Sequence, residues 1–269
     1  MQKYCFIWEK VEKEDMIDFL VVFVASVAAG FINAIAGGGT LITFPVLTAI
    51  GISPIAANVT NTIGLCSGIL GGVYAQRRDF QTQKQRLLKI LPFSIVGGIV
   101  GGLILLNTRE NSFRAIIPFL ILTATCLLAI QVPIKNWVVA RIGKAHHGRA
   151  NNMVMFLLVF LAAIYGGYFG AGLGVILMAV LGLVIDDSLT RLNVLKQAIS
   201  FSVNIAAAIY FSFSGKVDWS IAGVMAIGSV CGGLIGGRLA GKIKPDILRR
   251  IVVLIGLAVS VYYFIQYYV

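Results

Sequence analysis

Residues 30–61 read GFINAIAGGGTLITFPVLTAIGISPIAANVTN, and residues 165–197 read YGGYFGAGLGVILMAVLGLVIDDSLTRLNVLKQ. In each stretch a cluster of glycines precedes a short apolar run. The runs at 40–51 and 174–185 correspond to about 18 Å of helix, whereas the hydrocarbon core of a bilayer is about 30 Å thick. Because glycine breaks helices easily, this pattern predicts two half-length membrane segments, each beginning at a glycine break.

The rest of the chain is as apolar as these stretches. Of its 269 residues, 58% are hydrophobic and 12% are charged, whereas an average soluble domain carries about 25% charged residues. This composition excludes a soluble globule and makes the bilayer the solvent. We predict an all-α polytopic integral membrane protein with about 8–10 membrane segments. Ten apolar segments lie at 17–36, 40–51, 54–76, 90–106, 113–133, 152–169, 174–185, 189–213, 219–238 and 247–268.

The two stretches belong to two copies of one unit. An offset of 135 residues aligns Gly37 with Gly172 and Asn58 with Asn193, and it also aligns the GGxxGG motifs at 97–102 and 232–237. Self-similarity at a fixed offset indicates an internal repeat, and we interpret the GGxxGG motifs as surfaces for close helix packing. The predicted organisation is one membrane domain, composed of an N-terminal tail (1–16), membrane repeat 1 (17–134), a basic cytoplasmic linker (135–150) and membrane repeat 2 (151–269).

The basic residues are clustered. The chain has 22 Lys and Arg against 11 Asp and Glu, a net charge of +11. Most of these basic residues, 14 of the 22, lie in three short stretches at 77–89, 135–149 and 238–250. This is the positive-inside pattern of cytoplasmic loops, so we predict a multi-pass protein of the cytoplasmic (inner) membrane without a nucleic-acid partner. The loop at 77–89 is basic, but its counterpart at 214–218 is not. The two repeats are therefore predicted to have inverted topology.

Polar side chains recur on one face of the helix that follows each glycine break. Broken backbone at membrane depth requires a cavity, and the N-termini of half-helices attract anions. The sequence therefore predicts a central anion site between the repeats. The predicted backbone donors are Gly37, Gly38, Gly39, Thr40, Gly172 and Gly174. The predicted side-chain donors, at spacings of i, i+3 and i+4, are Asn58, Asn61 and Thr62 in one repeat and Asn193, Lys196 and Gln197 in the other.

Several of these side chains also have a purely structural interpretation. Asn58 or Asn193 can join neighbouring helices by hydrogen bonds, and Lys196 can extend to the cytoplasmic headgroups. The acidic residues all fall in tails, loops or segment ends, which gives a cation site or a carboxylate proton relay little support. HExxH and GxSxG motifs are absent from the sequence. We therefore predict no metal, no cofactor and no enzymatic activity.

The two stretches resemble the TauE/SafE family of sulfite exporters, and the resemblance covers nearly the whole chain from about residue 17. Family members have a glycine-rich break, a following proline, a Gly-Ile/Leu-Ser/Pro-Pro step and an alanine-rich helix start. The first repeat matches with Pro45 and with the residues at 51–54 and 56–58, whereas the second departs with Val180, Asp186-Asp187 and the cations Arg191 and Lys196.

The resemblance implies a secondary transporter that exports small sulfur-containing anions, such as sulfite or organosulfonates, by alternating access. Its partners would be this anion and the lipid bilayer. Two alternatives stay open at this stage. One is a permease for another small anion or a neutral solute, and the other is a non-transporting membrane partner of a sulfur or metal enzyme. Whether the chain forms a homo-oligomer is also left open by the sequence.

Overall fold

The computed structural model describes residues 2–35, 38–75, 77–141, 152–239 and 245–269. Over these ranges the chain forms helices and no strand, which confirms the predicted all-α membrane fold. Six helical stretches in the described residues are long and apolar enough to cross a bilayer. The helices are α1 (Gln2–Ile35), α2 (Thr40–Ala49), α3 (Pro54–Ala75), α4 (Arg77–Asn107), α5 (Glu110–Ala129), α6 (Gln131–Arg141), α7 (Asn152–Tyr168), α8 (Leu173–Val184), α9 (Leu189–Ser212), α10 (Trp219–Leu239) and α11 (Pro245–Tyr268).

The helices follow the predicted apolar segments but extend beyond them at three places. Helix α1 begins at Gln2, inside the predicted tail, and α4 begins at Arg77, so that the basic stretch belongs to a helix. Residues 131–141 form α6, where the end of one segment and the start of the linker were predicted. Lys and Arg are good helix formers, so helices continue into basic stretches that a hydropathy window does not detect. Residues 142–151 of the linker lie outside the described residues.

Both glycine clusters interrupt the helices where the sequence predicts a break. Gly38 has a φ of +95°, and Gly172 has a φ of +78° at the start of α8. Glycine adopts this left-handed region at little cost, whereas a residue with a Cβ is strained there. Helix α2 has 10 residues and α8 has 12, so they extend about 15 and 18 Å. Each therefore reaches about half the thickness of the bilayer core.

Helices of the two halves pack in matching combinations. Helix α10 packs against α1 and α3, and α4, its counterpart at the 135-residue offset, packs against α7 and α9. Hydrogen bonds between the hydroxyls of Ser67 and Ser229, at 3.1 Å, and of Ser202 and Ser94, at 2.7 Å, occupy equivalent positions in the two combinations. We call the first combination the α10 bundle and the second the α4 bundle. Each bundle contains helices from both repeats.

The GGxxGG motifs hold these bundles together at short range. A Cβ on Gly101 would overlap the carbonyl oxygen of Ile164 in α7, and a Cβ on Gly232 would overlap that of Val27 in α1. The backbones therefore approach each other where no side chain fits, which confirms the interpretation of these motifs as close-packing surfaces.

Asp187 joins the turn between α8 and α9 to the start of α4. Its carboxylate accepts hydrogen bonds from Arg86 at 2.8 Å and from Gln83 at 3.1 Å, and it lies 3.3 Å from the Arg191 guanidinium. Burial raises the pKa of Asp187, but the hydrogen bonds from Ser188 N–H, Arg86 and Gln83 and the charge of Arg191 together hold it below its ordinary value. The ionised carboxylate therefore fixes where α9 begins relative to α4.

Candidate functional site

A cavity of about 380 Å³ lies where the two glycine breaks meet. The first break contributes Gly38 and Thr40 to its walls, and the second contributes residues 170–175. Helices α3 and α9 contribute the polar faces that follow the breaks. Apolar side chains, among them Leu128 and Phe169, complete the lining. The cavity is therefore concave and lined by mixed polar and apolar groups, as is typical of sites for small molecules.

Most of the predicted site residues meet in this cavity. Its lining includes Gly38, Thr40, Asn61, Thr62, Gly172, Gly174, Asn193, Lys196 and Gln197. Gly37 lies outside the described residues. Gly39 and Asn58 are not among the lining residues. The structure thus brings together parts of the chain that are more than a hundred residues apart, as the repeat predicts.

Asn58 and Gly39 are engaged in contacts within the protein. Asn58 is 1% exposed, and its Nδ2 donates to the carbonyl oxygen of Tyr168 at 2.8 Å, which joins α3 to the end of α7. The structural interpretation of Asn58 as a link between helices therefore applies. Gly39 N–H donates to Asn33 Oδ1 at 2.7 Å, so this backbone donor is already used.

The first turns of the half-helices retain few free N–H groups. In α2, the N–H groups of Leu41 and Ile42 donate to Gly38 and Gly39. In α8, the N–H groups of Leu173, Val175 and Ile176 donate to the carbonyls of Gly170 and Gly172. Thr40 in α2 and Gly174 in α8 are the positions at which no acceptor is found within the described ranges. Gly174 N–H is therefore available to the cavity within the described residues, together with the partial positive charge of the α8 N-terminus. For Thr40, the residues that would accept in a regular helix, 36 and 37, lie outside the described residues.

Lys196 lies against the start of α8. Its Cδ is 3.8 Å from the position that a Cβ would take on Gly174, so its aliphatic chain passes the first turn of that helix. Lys196 also lines the cavity, which favours the site interpretation over an extension to the headgroups. The ion pairs between described residues do not include Lys196. Lys135 on α6 is the neighbouring charge, and it repels Lys196.

Three side chains hold the cavity walls in place. Thr43 donates to Asn61 Oδ1, which fixes the orientation of that amide. The Tyr165 hydroxyl donates to the Ala171 carbonyl oxygen at 2.7 Å, six residues along the chain. Asn33 Oδ1 accepts from the N–H of Gly39, which is likewise six residues further along the chain. Each break is thus fixed by one side chain from the helix that precedes it.

The cavity also contains polar residues outside the predicted set, namely Asn33, Gln131, Ser200 and Asn204. Ser200 Oγ and Gln131 Oε1 are buried and have no hydrogen-bond partner among the described residues. Ser200 continues the helical spacing of Asn193 and Lys196, and Asn204 lies one turn further along α9, so the same periodicity could have found both. No comparable pattern in the sequence marks Asn33 or Gln131.

The comparisons with known proteins identify membrane transporters. The family model described as sulfite exporter TauE/SafE matches residues 22–263. A probable membrane transporter protein, ORF9, of Sinorhizobium sp is 31% identical over 248 residues, covering 89% of this chain and 90% of that protein. The probable membrane transporter protein YfcA of Escherichia coli (strain K12) is 27% identical over 243 residues, covering 89% of this chain and 87% of that protein. No solved structure gives a significant match.

Proposed function

The chain belongs to the sulfite exporter TauE/SafE family, and we propose that it exports small sulfur-containing anions, such as sulfite or organosulfonates, by alternating access at the central cavity. Membership of this family makes the protein a multi-pass membrane transporter and not an enzyme. The observation that carries the proposal is the meeting of both glycine breaks with Lys196, a cation without a carboxylate partner among the described residues, in one cavity.

The donors in the cavity suit an oxyanion. Charge-assisted hydrogen bonds from an ammonium and from helix N-termini are the strong contacts available to such a ligand. Lys196 supplies the ammonium, and Gly174 supplies a backbone N–H. Because Thr43 occupies Asn61 Oδ1, the amide nitrogen of Asn61 is left for the ligand. The Thr62 hydroxyl donates to the Asn58 carbonyl oxygen at 2.9 Å, so it can offer only lone pairs.

Alternating access requires two units that exchange roles, and inverted repeats provide them. The N–H of Asp218, just after α9, donates to Thr60 near the start of α3 at 3.0 Å. Helix α9 itself begins beside Asp187, at the start of α4. Helix α3 therefore starts at the end of the molecule where α9 finishes. The opposite directions of these equivalent helices support inverted topology as part of the proposal.

Two alternatives can be distinguished from this proposal, one by the charge of its ligand and the other by the absence of flux. A neutral solute would leave the Lys196 charge uncompensated in the cavity, which is costly away from water, so an anion is the better ligand. A non-transporting partner of a sulfur or metal enzyme would show no flux and would co-purify with that enzyme.

The test is uptake of radiolabelled sulfite by proteoliposomes that contain the purified protein. We expect saturable flux that organosulfonates inhibit. Lys196→Met should lower kcat/KM by about 10- to 100-fold, the range expected when a hydrogen bond to a charged group is lost. Lys84→Met is the matched control, because Lys84 is an exposed lysine on α4, and its flux should equal that of the wild type. Absence of flux with sulfite, organosulfonates and other oxyanions would contradict the proposal.

A further inference from the structure

We infer that the central cavity holds an organic group of the substrate as well as its charged group. The sulfonate lies against α9 beside Lys196 and Ser200, and an alkyl group lies against an apolar wall that includes Leu65. This assignment rests on the proposed function, because it concerns the same cavity. It narrows the substrate to alkyl-bearing sulfonates, and it adds Leu65 and Ser200 as the residues that favour them over inorganic sulfite.

The side of the cavity formed by α9 is polar throughout. Its lining residues are Asn193, Lys196, Gln197, Ser200 and Asn204. The chain of Lys196 passes the first turn of α8, with Cδ 3.8 Å from the position that a Cβ would take on Gly174. Lys196 and the Gly174 N–H therefore lie on the same side. An anionic group gains charge-assisted hydrogen bonds there.

The hydroxyl of Ser200 has no partner in this polar side. Its Oγ is buried and makes no hydrogen bond to any of the described residues, although Ser200 lines the cavity. Most buried hydroxyls in proteins are paired, because an unpaired one costs free energy. A sulfonate oxygen beside α9 supplies the missing acceptor.

Another part of the lining is apolar. Leu65, Leu128 and Phe169 line the cavity and pack into one hydrophobic core. We call these three side chains the apolar wall. Phe169 makes an edge contact with Phe44, with the ring centroids 5.6 Å apart, which holds its ring in place. An oxyanion oxygen facing this wall would lose its water without gaining a donor, whereas an alkyl group is favoured there.

Leu65 occupies the position in α3 that Ser200 occupies in α9. The two residues are 135 positions apart, the offset of the repeat, and both line the cavity. One repeat thus presents a hydroxyl where the other presents an isobutyl group. A ligand with one charged and one apolar end is oriented by this difference, because each end has one favourable surface.

The size of the cavity also favours a ligand larger than sulfite. Its volume is about 380 Å³. A water molecule takes about 30 Å³ in the liquid, so the four heavy atoms of sulfite correspond to roughly 120 Å³. Sulfite would share the remaining space with water, part of it against the apolar wall. Replacing such weakly held water by an alkyl group improves affinity.

The test is a chain-length series of methane-, ethane- and propanesulfonate. All three carry the same single negative charge, so they differ only in apolar surface. Calorimetry measures their Kd values with the purified protein. In the wild type, Kd should fall by up to about fourfold with each added methylene, the factor for burial of one CH₂. The three sulfonates should inhibit uptake of radiolabelled sulfite by proteoliposomes in the same order.

Two variants should change the series in different ways. Leu65→Asn makes the apolar wall polar, so the factor per methylene should fall to near one. Ser200→Ala removes a donor to the sulfonate, so all three Kd values should rise by the same factor of about tenfold. Its thermal midpoint should not fall, because Oγ makes no hydrogen bond within the described protein. Leu88→Asn is the matched control, since Leu88 is 58% exposed on α4, and its series should equal that of the wild type.

The outcomes separate this inference from the proposed function. Wild-type Kd values that stay equal or rise with chain length, together with sulfite flux, overturn the apolar subsite and leave the transporter proposal in place. This measurement decides even if Leu65→Asn does not fold. A wild-type factor per methylene that persists in folded Leu65→Asn, or Kd values that do not change in Ser200→Ala, also overturn the assignment. If the wild type neither binds the three sulfonates nor transports sulfite or any of them, both proposals fail.

Discussion

Two glycines of the breaks are required for different physical reasons. Gly38 has a φ of +95°, and a Cβ there would lie 2.9 Å from Leu128 Cδ2, so any substitution disturbs the fold itself. At Gly174 a Cβ would meet only Lys196 Cδ, at an ordinary van der Waals distance of 3.8 Å, and the φ is not in the left-handed region. The fold therefore tolerates a methyl group at Gly174. A requirement for glycine there must come from a ligand that approaches its N–H.

Gly174→Ala should therefore impair transport without impairing the fold. We expect KM for sulfite to rise about tenfold, because the methyl group stands between the anion and a charge-assisted donor. The thermal midpoint of the purified protein should not fall below the wild-type value. The control is Gly223→Ala on α10, where a Cβ has nothing within 4 Å. Its KM should be unchanged, and its thermal midpoint should match the wild type or exceed it slightly, because alanine favours helix over glycine. An unaltered KM in Gly174→Ala would remove this N–H from the site.

Helical spacing predicted the polar face of α9 but could not show what covers each residue. Lys196 and Gln197 line the cavity, as their spacing indicated. On α3, Asn58 precedes Asn61 by three residues, as Asn193 precedes Lys196 on α9. The end of α7 nevertheless covers Asn58. Where α7 ends depends on the packing of a distant part of the chain. Spacing alone therefore left both interpretations of Asn58 open.

Helix pairs in this protein depend on individual glycines within the GGxxGG motifs. At Gly232 a Cβ would overlap the Val27 carbonyl oxygen, and this is backbone that cannot rotate away. At the neighbouring Gly233 the nearest atom, the Gly68 carbonyl oxygen, is 3.9 Å from a Cβ. One glycine of the motif is thus sterically required, and its neighbour is not.

Gly232→Ala should destabilise the protein, whereas Gly233→Ala should not. Overpacking of a close contact costs about 1–3 kcal/mol, so we expect a clear fall in the thermal midpoint for Gly232→Ala. Alanine favours helix over glycine by up to about 1 kcal/mol, so Gly233→Ala should match the wild type or exceed it slightly. Thermal unfolding in detergent, followed by tryptophan fluorescence, measures both. Equal midpoints for the two variants would mean that α1 and α10 adjust to a wider separation.

Hydropathy predicted the membrane helices well because the bilayer imposes apolar composition on them. It missed α6 and the first part of α4, which are helical but carry basic residues such as Lys135 and Arg86. Helices outside the hydrocarbon core are not constrained to be apolar, so no hydropathy signal marks them. The boundaries of these parts follow from packing, of α6 against α8 and of α4 against α9.

At the scale of the whole molecule, the repeat is a unit of sequence but not of packing. The offset of 135 residues predicted which helices are equivalent, and the matching hydroxyl contacts of Ser67 and Ser202 agree with it. It could not show that α1 pairs with α10 and α7 with α4. Both bundles combine helices from both halves, because short glycine contacts, and not chain connectivity, select the partners.

The positions of Lys84 and Lys216 make the membrane topology testable. Lys84 lies near the start of α4, where Arg86 meets Asp187 just before α9, and Lys216 lies just after α9. Helix α9 has 24 residues, about 36 Å, so these two positions should lie on opposite sides of the membrane. The basic stretch around Lys84 places that side in the cytoplasm.

The side chains of Lys84 and Lys216 are both exposed. Lys84→Cys and Lys216→Cys, each in a background without Cys5, Cys66, Cys126 and Cys231, should therefore react with a membrane-impermeant maleimide from opposite sides. In intact cells only Lys216→Cys should be labelled, and Lys84→Cys should require permeabilised cells. Labelling of both variants in intact cells would mean that α9 does not cross the membrane, and the inverted topology would fail with it. Labelling of Lys84→Cys alone would keep the inversion but reverse the orientation of the whole molecule.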